Sequence, residues 1–302
     1  YEPAEDVTEV EDLSALAFIM FTSGTTGRSK GVMLSQKNLF SAMPAFLDPF
    51  DDVKKYTGWN TDEFSSLSAL PMFHISAMTS LVSWSITGHS INLCNNLKYF
   101  YRDLGAMHSK SLSDMMEKGV VWAQMYGLTE TCGDGAWNSS QEAKYLTSVG
   151  HVDLSCEYKL DDGELCMRGD PIMLGYYKDP EGTAEVIDAD GWFHTGDIAR
   201  VEEDGYMYLT GRKKNVIILD SGENVSPEEL EKLLVPCADI QECIVKEKDK
   251  KICALIYCDP AKQETVKEFV TGVNRGLPLY KRMMPEFSAQ PLPRNAMGKL
   301  LR

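Results

Sequence analysis

The chain has 302 residues, 43% hydrophobic and 25% charged; this suits about two globular domains and excludes collagen, a coiled coil or disorder throughout. The 30 Lys and Arg face 45 Asp and Glu, and the net charge of −15 repels phosphate backbones, which argues against nucleic acid as a partner. The charge is uneven: residues 213–302 carry 15 Lys/Arg and 13 Asp/Glu, whereas residues 1–212 carry 15 and 32. No apolar run nears the roughly 20 residues that span a bilayer. The acidic start, Tyr1 to Asp6, has no leader pattern. Eight cysteines (94, 132, 156, 166, 237, 243, 253 and 258) form no Cys-x-x-Cys, and none sits beside a His at metal-ligand spacing. They read as reduced core residues of a cytoplasmic protein.

Leu16 to Phe21 is an apolar run that reads as a buried strand and stops at a Thr/Ser/Gly loop. Gly31 to Leu34 is apolar again, and Ser35 can cap a helix from about Gln36. Leu67 to His74 reads as a strand entering a turn, residues 111–118 as helix, and Val120 to Met125 as a strand ending at Tyr126-Gly127. Residues 149–212 are β-rich: Glu164 to Gly169 is read as alternating, and glycines at 191 and 205 open turns. Val216 to Leu219 reads as a strand and Gly222 as a turn. Ser226-Pro227-Glu228-Glu229 is a capping box with Pro at the first helical position, so a helix is predicted from Pro227 to about Leu234. Cys243–Val245 and Ile252–Tyr257 flank the charged stretch Lys246–Lys251 as a hairpin.

The most informative segment is Thr22-Ser23-Gly24-Thr25-Thr26-Gly27-Arg28-Ser29-Lys30-Gly31. Its glycines let backbone approach an anion closely, and its hydroxyls and N–H groups can donate to phosphate oxygens. Arg28 and Lys30 add positive charge. Ser29 precedes Lys30 and Gly31 follows it, so the segment is not a Walker A loop, which disfavours an ordinary P-loop ATPase or kinase.

This loop resembles that of the adenylate-forming (AMP-binding) superfamily, which includes acyl-CoA synthetases, aryl-CoA ligases, peptide-synthetase adenylation domains and luciferases. Four further stretches follow in that family's order. They are Tyr126-Gly127-Leu128-Thr129-Glu130-Thr131, Trp192 to Asp197, Gly211-Arg212-Lys213-Lys214-Asn215 with Gly222 to Glu229, and Pro293 to Lys299. The resemblance implies an α/β fold: a large N-terminal AMP-binding body with a β-rich subdomain over residues 1–212, and a small mobile α+β lid over 213–302. It implies that ATP activates a carboxylic acid, fatty or aryl, as acyl-AMP, and that the thiol of coenzyme A then takes the acyl group.

The resemblance also assigns roles. Thr22, Ser23, Gly24, Thr25, Thr26, Gly27 and Lys30 would hold phosphates. Glu130 would bind Mg²⁺, a hard cation that takes oxygen ligands, and Thr129 would donate to the α-phosphate. Tyr126 would stack on adenine, with Gly105 and Ala106 as the tail of an adenine-wall segment whose first Gly is missing. Asp197 and Arg212 would contact the ribose. Lys299 would place positive charge at the reacting phosphate, and Lys214 would be the hinge. His74 and Gly127 would border the acyl pocket. Phe73-His74-Ile75-Ser76 supplies no Asp for an α-ammonium, so the acid is not expected to be an α-amino acid.

Two departures stand out. The phosphate loop begins at residue 22, where the family has a long preceding part, and the stretch from His74 to Tyr126 is tens of residues short. A junction is expected near Leu104–Gly105, in the region where the family builds much of its acyl pocket. Competing readings are an enzyme that loads a carrier-protein thiol and a catalytically silent nucleotide-binding relative. Retention of Glu130, Asp197, Arg212 and Lys299 argues against the silent form.

Overall fold

The computed structural model describes residues 11–22, 29–44, 65–68, 74–87, 90–93, 124–153, 155–219, 222–294 and 300–301. Strands β1 (Leu16–Thr22) and β2 (Lys30–Ser35) pair antiparallel, with Thr22 opposite Lys30, so the phosphate loop is closed at its base. Ser35 ends β2 and caps helix α1 (36–44): the Asn38 amide donates to Ser35 Oγ at 3.1 Å, and the Ser35 amide donates back to Asn38 Oδ1 at 2.7 Å. That satisfies N–H groups that a helix start leaves without intrahelical partners.

Strand β3 (Ser65–Ser68), helix α2 (Ile75–Thr87) and strand β4 (Ser90–Leu93) follow, with β3 and β4 parallel. The strand expected from Leu67 to His74 thus begins earlier, at Ser65, and is described only as far as Ser68. His74 directly precedes α2, and 69–73 lie outside the described residues. So do the helix expected over 111–118 and the first part of the strand before Tyr126; its end is β5 (Gln124–Gly127).

Strand β5 pairs with β6 (Gly135–Asn138), which pairs with β7 (His151–Val152). Next comes a four-stranded antiparallel sheet in the order β12-β11-β9-β8, from β8 (Cys156–Asp161), β9 (Glu164–Gly169), β11 (Phe193–Val201) and β12 (Met207–Arg212). Between β9 and β11, β10 (Gly175–Tyr176) leaves to join β2 beside a short helix α3 (Pro180–Ala184). Strand β9 corrects the alternation expected of it: Glu164, Leu165, Cys166 and Met167 are all buried, because β9 is an inner strand with packing on both faces.

The last part has its own sheet, β15-β16-β17, from β15 (Ile240–Lys248), β16 (Lys251–Cys258) and β17 (Met284–Ser288). Helices α4 (Pro227–Leu234) and α5 (Gln263–Arg275) accompany it. The short pair β13 (Ile217–Ile218) and β14 (Asn224–Val225) precedes them, so the strand expected over 216–219 keeps only its two middle residues. Ser226 caps α4 as its sequence predicts, accepting from the Glu229 amide. One apolar core here draws only on residues 217–287, including Val225, Leu230, Leu234, Val245, Ile256, Val266 and Val270. Two other cores lie earlier in the chain, one around Val32, Leu34 and Tyr176 and one around Tyr126, Leu165 and Met207.

The β15–β16 hairpin turns on Asp249 and Lys250, both at positive φ (51° and 61°). A two-residue turn of this hand matches the twist of the strands, yet a side chain costs about 1–2 kcal/mol in left-handed backbone. Lys250→Gly should therefore raise the unfolding free energy by about 1 kcal/mol, read by chemical denaturation.

Candidate active site

Asp197 and Arg212 lie 15 residues apart and stand directly opposite each other where β11 pairs with β12. Arg212 Nε donates to Asp197 Oδ1 at 2.7 Å. The Tyr126 hydroxyl, at the end of β5, donates to Asp197 Oδ2 at 2.7 Å. Asp197 is only 5% exposed, and these two partners hold its carboxylate in place. Burial, then the charge and the hydrogen bond of Asp197, push the Tyr126 phenol well above its ordinary pKa, so it stays a donor. The Tyr126 ring is packed in the core with Ala136, Leu165 and Met207, and what it presents is its hydroxyl.

A bulge in β11 aims Asp197. His194 pairs with Cys166 of β9 and Ile198 pairs with Glu164, so β11 advances four residues where β9 advances two. Thr195, Gly196 and Asp197 leave the regular ladder, and Gly196 takes φ +71°. Thr195 Oγ1 donates to the Leu165 carbonyl at 2.7 Å, and the Gly196 amide donates to Glu164 Oε1 at 3.0 Å. Bulges re-aim side chains in this way.

Glu164 was not singled out by its sequence and proves central. It is 3% exposed. Its Oε2 accepts from Lys213 Nζ at 2.8 Å and lies 3.2 Å from His194 Nδ1. Burial pulls its pKa up, but the hydrogen bonds from Lys213, His194 and the Gly196 amide outweigh that and hold it below the ordinary value.

A second chain of contacts joins the phosphate loop to Glu130. Glu130 and Thr129 sit in the tight helical turn Thr129–Thr131 that follows β5. Tyr176 lies opposite Val32 in the β10–β2 pair, and its hydroxyl donates to Glu130 Oε1 at 2.9 Å. Lys30, two positions along β2 from Val32, holds its ammonium 4.3 Å from the centre of the Tyr176 ring. The end of the phosphate loop and the proposed metal carboxylate are thereby brought within one side chain of each other. Tyr176 was also missed in the sequence, since nothing local distinguishes it from Tyr177. Gly127 permits the turn: a Cβ there would strike the Gly133 carbonyl.

His74 is exposed just before α2, where its Nδ1 accepts from the Ser76 amide at 3.3 Å. Lys214 is exposed in the short turn Lys213–Asn215 that connects β12 to β13. Thr22 closes the loop base, with its carbonyl accepting from Ser29 Oγ at 2.7 Å. Ser23, Gly24, Thr25, Thr26, Gly27, Gly105, Ala106 and Lys299 lie outside the described residues.

Several cysteines are buried in the cores. Burial first, then nearby carboxylates, pushes Cys132 and Cys156 up to about 12 and Cys166 up to about 11. The strand register does bring Cys166 Sγ within 3.4 Å of His194 Nδ1, which sequence spacing does not reveal. Asp161 completes three potential ligand atoms, all within 4.8 Å of one another. A metal there would compete with the Lys213 ammonium, which already holds Glu164 beside it. No helix among the described residues is long and apolar enough to cross a membrane.

A buried carboxylate is held by an arginine and a tyrosine, and a second carboxylate is joined through Tyr176 to the strand that ends the Gly/Ser/Thr loop. A family model described as AMP-binding enzyme matches residues 2–104, ending where the sequence placed a junction. The long-chain-fatty-acid–CoA ligase FadD13 of Mycobacterium tuberculosis is 27% identical over 341 residues, covering 94% of this chain and 66% of that protein. That span exceeds the 302 residues here, so the match bridges residues that this chain lacks. The Bacillus subtilis O-succinylbenzoate coenzyme A synthetase in complex with AMP superposes with a TM-score of 0.76 at 25% identity, covering 99% of this chain and 71% of that one. The same enzyme with ATP and magnesium gives 0.75 at 25%, covering 100% and 72%. The chain is similar to AMP-binding, adenylate-forming enzymes, and its mixed α/β fold spans about two thirds of the length of the relatives it matches.

Asp197→Ala leaves the Tyr126 hydroxyl and Arg212 without their shared acceptor and should cost about 2 kcal/mol of unfolding free energy, read by urea titration. The stability due to ionised Glu164 is complete above the ordinary glutamate value and is lost as pH falls through its lowered one. Unfolding midpoints measured from pH 7 down to pH 3 should therefore fall less steeply in Glu164→Gln than in the parent.

Proposed function

We propose that the protein activates a carboxylic acid, fatty or aryl, with ATP and passes the acyl group to the thiol of coenzyme A. The observation that carries this reading is the Tyr126–Asp197–Arg212 arrangement, set in a chain whose relatives are acyl-CoA ligases. Asp197 accepts from Tyr126 and Arg212, and a carboxylate is an acceptor of the kind that the two hydroxyls of a ribose would donate to. Arg212 would hold that carboxylate in place while they do so.

Glu130 fits a magnesium ion: it is a hard oxygen donor that can hold Tyr176 by one oxygen and a cation by the other. The ion would neutralise phosphate oxygens. Lys30 and the loop Thr22 to Gly27 would cradle the phosphates, and the Thr129 hydroxyl would donate to the α-phosphate. An oxygen of the substrate carboxylate attacks the α-phosphorus, the bond to pyrophosphate breaks, and pyrophosphate leaves with that electron pair. Lys299 would stabilise the charge as it builds. In the second step the coenzyme A sulfur attacks the acyl carbon, its proton is lost, and AMP departs.

We assign the body to residues 1–212 and the lid to 213–302, with Lys214 as hinge between half-reactions. The lid's independent apolar core supports this division, and so does its net charge of +2 against −17 for the body. His74 and Gly127 would border the acyl pocket, and Gly105 and Ala106 the adenine. Reduced cysteines favour a cytoplasmic setting.

ATP–pyrophosphate exchange across a panel of fatty, aryl and amino acids tests the reading. Exchange with a fatty or aryl acid is expected, and none with any acid would overturn it. Lys299→Ala should slow acyl-adenylate formation by about 100-fold while sparing thiol transfer from supplied acyl-AMP; equal loss in both steps would remove the role given to Lys299.

A further inference from the structure

We propose, resting on the nucleotide-binding reading above, that Glu164 is a positioning residue: it sets the spacing between Asp197 and Arg212 by holding the β11 bulge with one oxygen and Lys213 with the other. The bulge takes the Gly196 amide out of the β9–β11 ladder, and Glu164 Oε1 is the acceptor that replaces the ladder carbonyl, at 3.0 Å. Lys213 directly follows Arg212, and its ammonium meets Glu164 Oε2 at 2.8 Å. A movement of either strand end alone therefore lengthens one of these two bonds.

The remaining neighbours strengthen the anchor. His194 Nδ1 lies 3.2 Å from the same Oε2, and its Nε2 faces Asp188 Oδ2 at 3.6 Å. Glu164 itself stands on β9, an inner strand whose Leu165 and Met167 are fully buried, so the carboxylate is fixed to the rigid middle of the sheet. Filling this space would need only an apolar side chain. A carboxylate facing two strands at once adds direction, and charge-assisted hydrogen bonds are the stronger and shorter kind. Glu164 touches neither ribose nor phosphate in this scheme; it acts through Asp197 and Arg212.

The test is the affinity of the full chain for ATP with Mg²⁺, by titration calorimetry without any carboxylic acid, alongside the melting midpoint. Glu164→Gln keeps an acceptor for Gly196 and loses the charge facing Lys213, so the Kd for ATP should rise about fivefold. Lys213→Met should act in the same direction, and the double variant should be no worse than the poorer single one, since both remove one link. Glu164→Ala should weaken binding further; if it does not fold, Glu164→Gln and Lys213→Met carry the test. A lowered melting midpoint with Kd unchanged within about twofold would mean structural support alone and would overturn the proposal. Failure of the unsubstituted chain to bind ATP would overturn the nucleotide-binding reading, and the positioning role with it.

Discussion

The ion pair between Asp197 and Arg212 is the constraint around which the rest of the site is arranged. A carboxylate that is 5% exposed must be paired and hydrogen-bonded to remain charged. Cross-strand pairing supplies the arginine, the end of β5 supplies the Tyr126 hydroxyl, and a bulge turns the carboxylate toward both. Three separate sequence motifs thus meet at one side chain. The cost of burying that charge is offset by bonds that also set its direction.

Close backbone approach does the complementary work around Glu130. Gly127 lets the turn after β5 fold against the Gly133 carbonyl, and Gly135 lies where a Cβ would come 2.7 Å from the Tyr126 carbonyl. The Met173 amide then donates to the Glu130 carbonyl at 2.8 Å, tying the approach to β10 to the same turn. Tyr176 and Lys30 follow from that docking, so the base of the Thr22–Lys30 loop is linked to Glu130 through β10, and Glu130 follows the strand whose Tyr126 reaches Asp197.

The connection to the C-terminal unit is also built on β12. Ser226 Oγ donates to the Thr210 carbonyl at 2.6 Å, and Lys232 Nζ donates to the Leu209 carbonyl at 2.8 Å. Gly211 leaves the space that Ser226 occupies. Burial lowers the Lys232 pKa, although nearby glutamates oppose this. The strand that presents Arg212 is therefore the strand on which the C-terminal unit rests, and Lys213, held by Glu164, stands between the two.

Much of this was legible in the sequence. The Ser35 cap, the Pro227 helix and the β15–β16 hairpin follow from local patterns, because capping and alternation act between residues close in the chain; β1 forms as expected but is not the buried strand its apolar run suggests, since Leu16 and Phe21 are exposed and only Met20 is buried. The order of five motifs was enough to point to the family. Glu164 and Tyr176 could not be found that way: one looked like an ordinary strand residue, the other like one of two adjacent tyrosines. Their importance comes from register, since β9 must meet β11 with a bulge, and β10 must leave its neighbours to join β2, before either side chain gains its partner. The sequence by itself determined which chemical groups are present and which local elements carry them. Only the tertiary structure decided which groups share a bond, because strand pairing acts across long separations that no local pattern records.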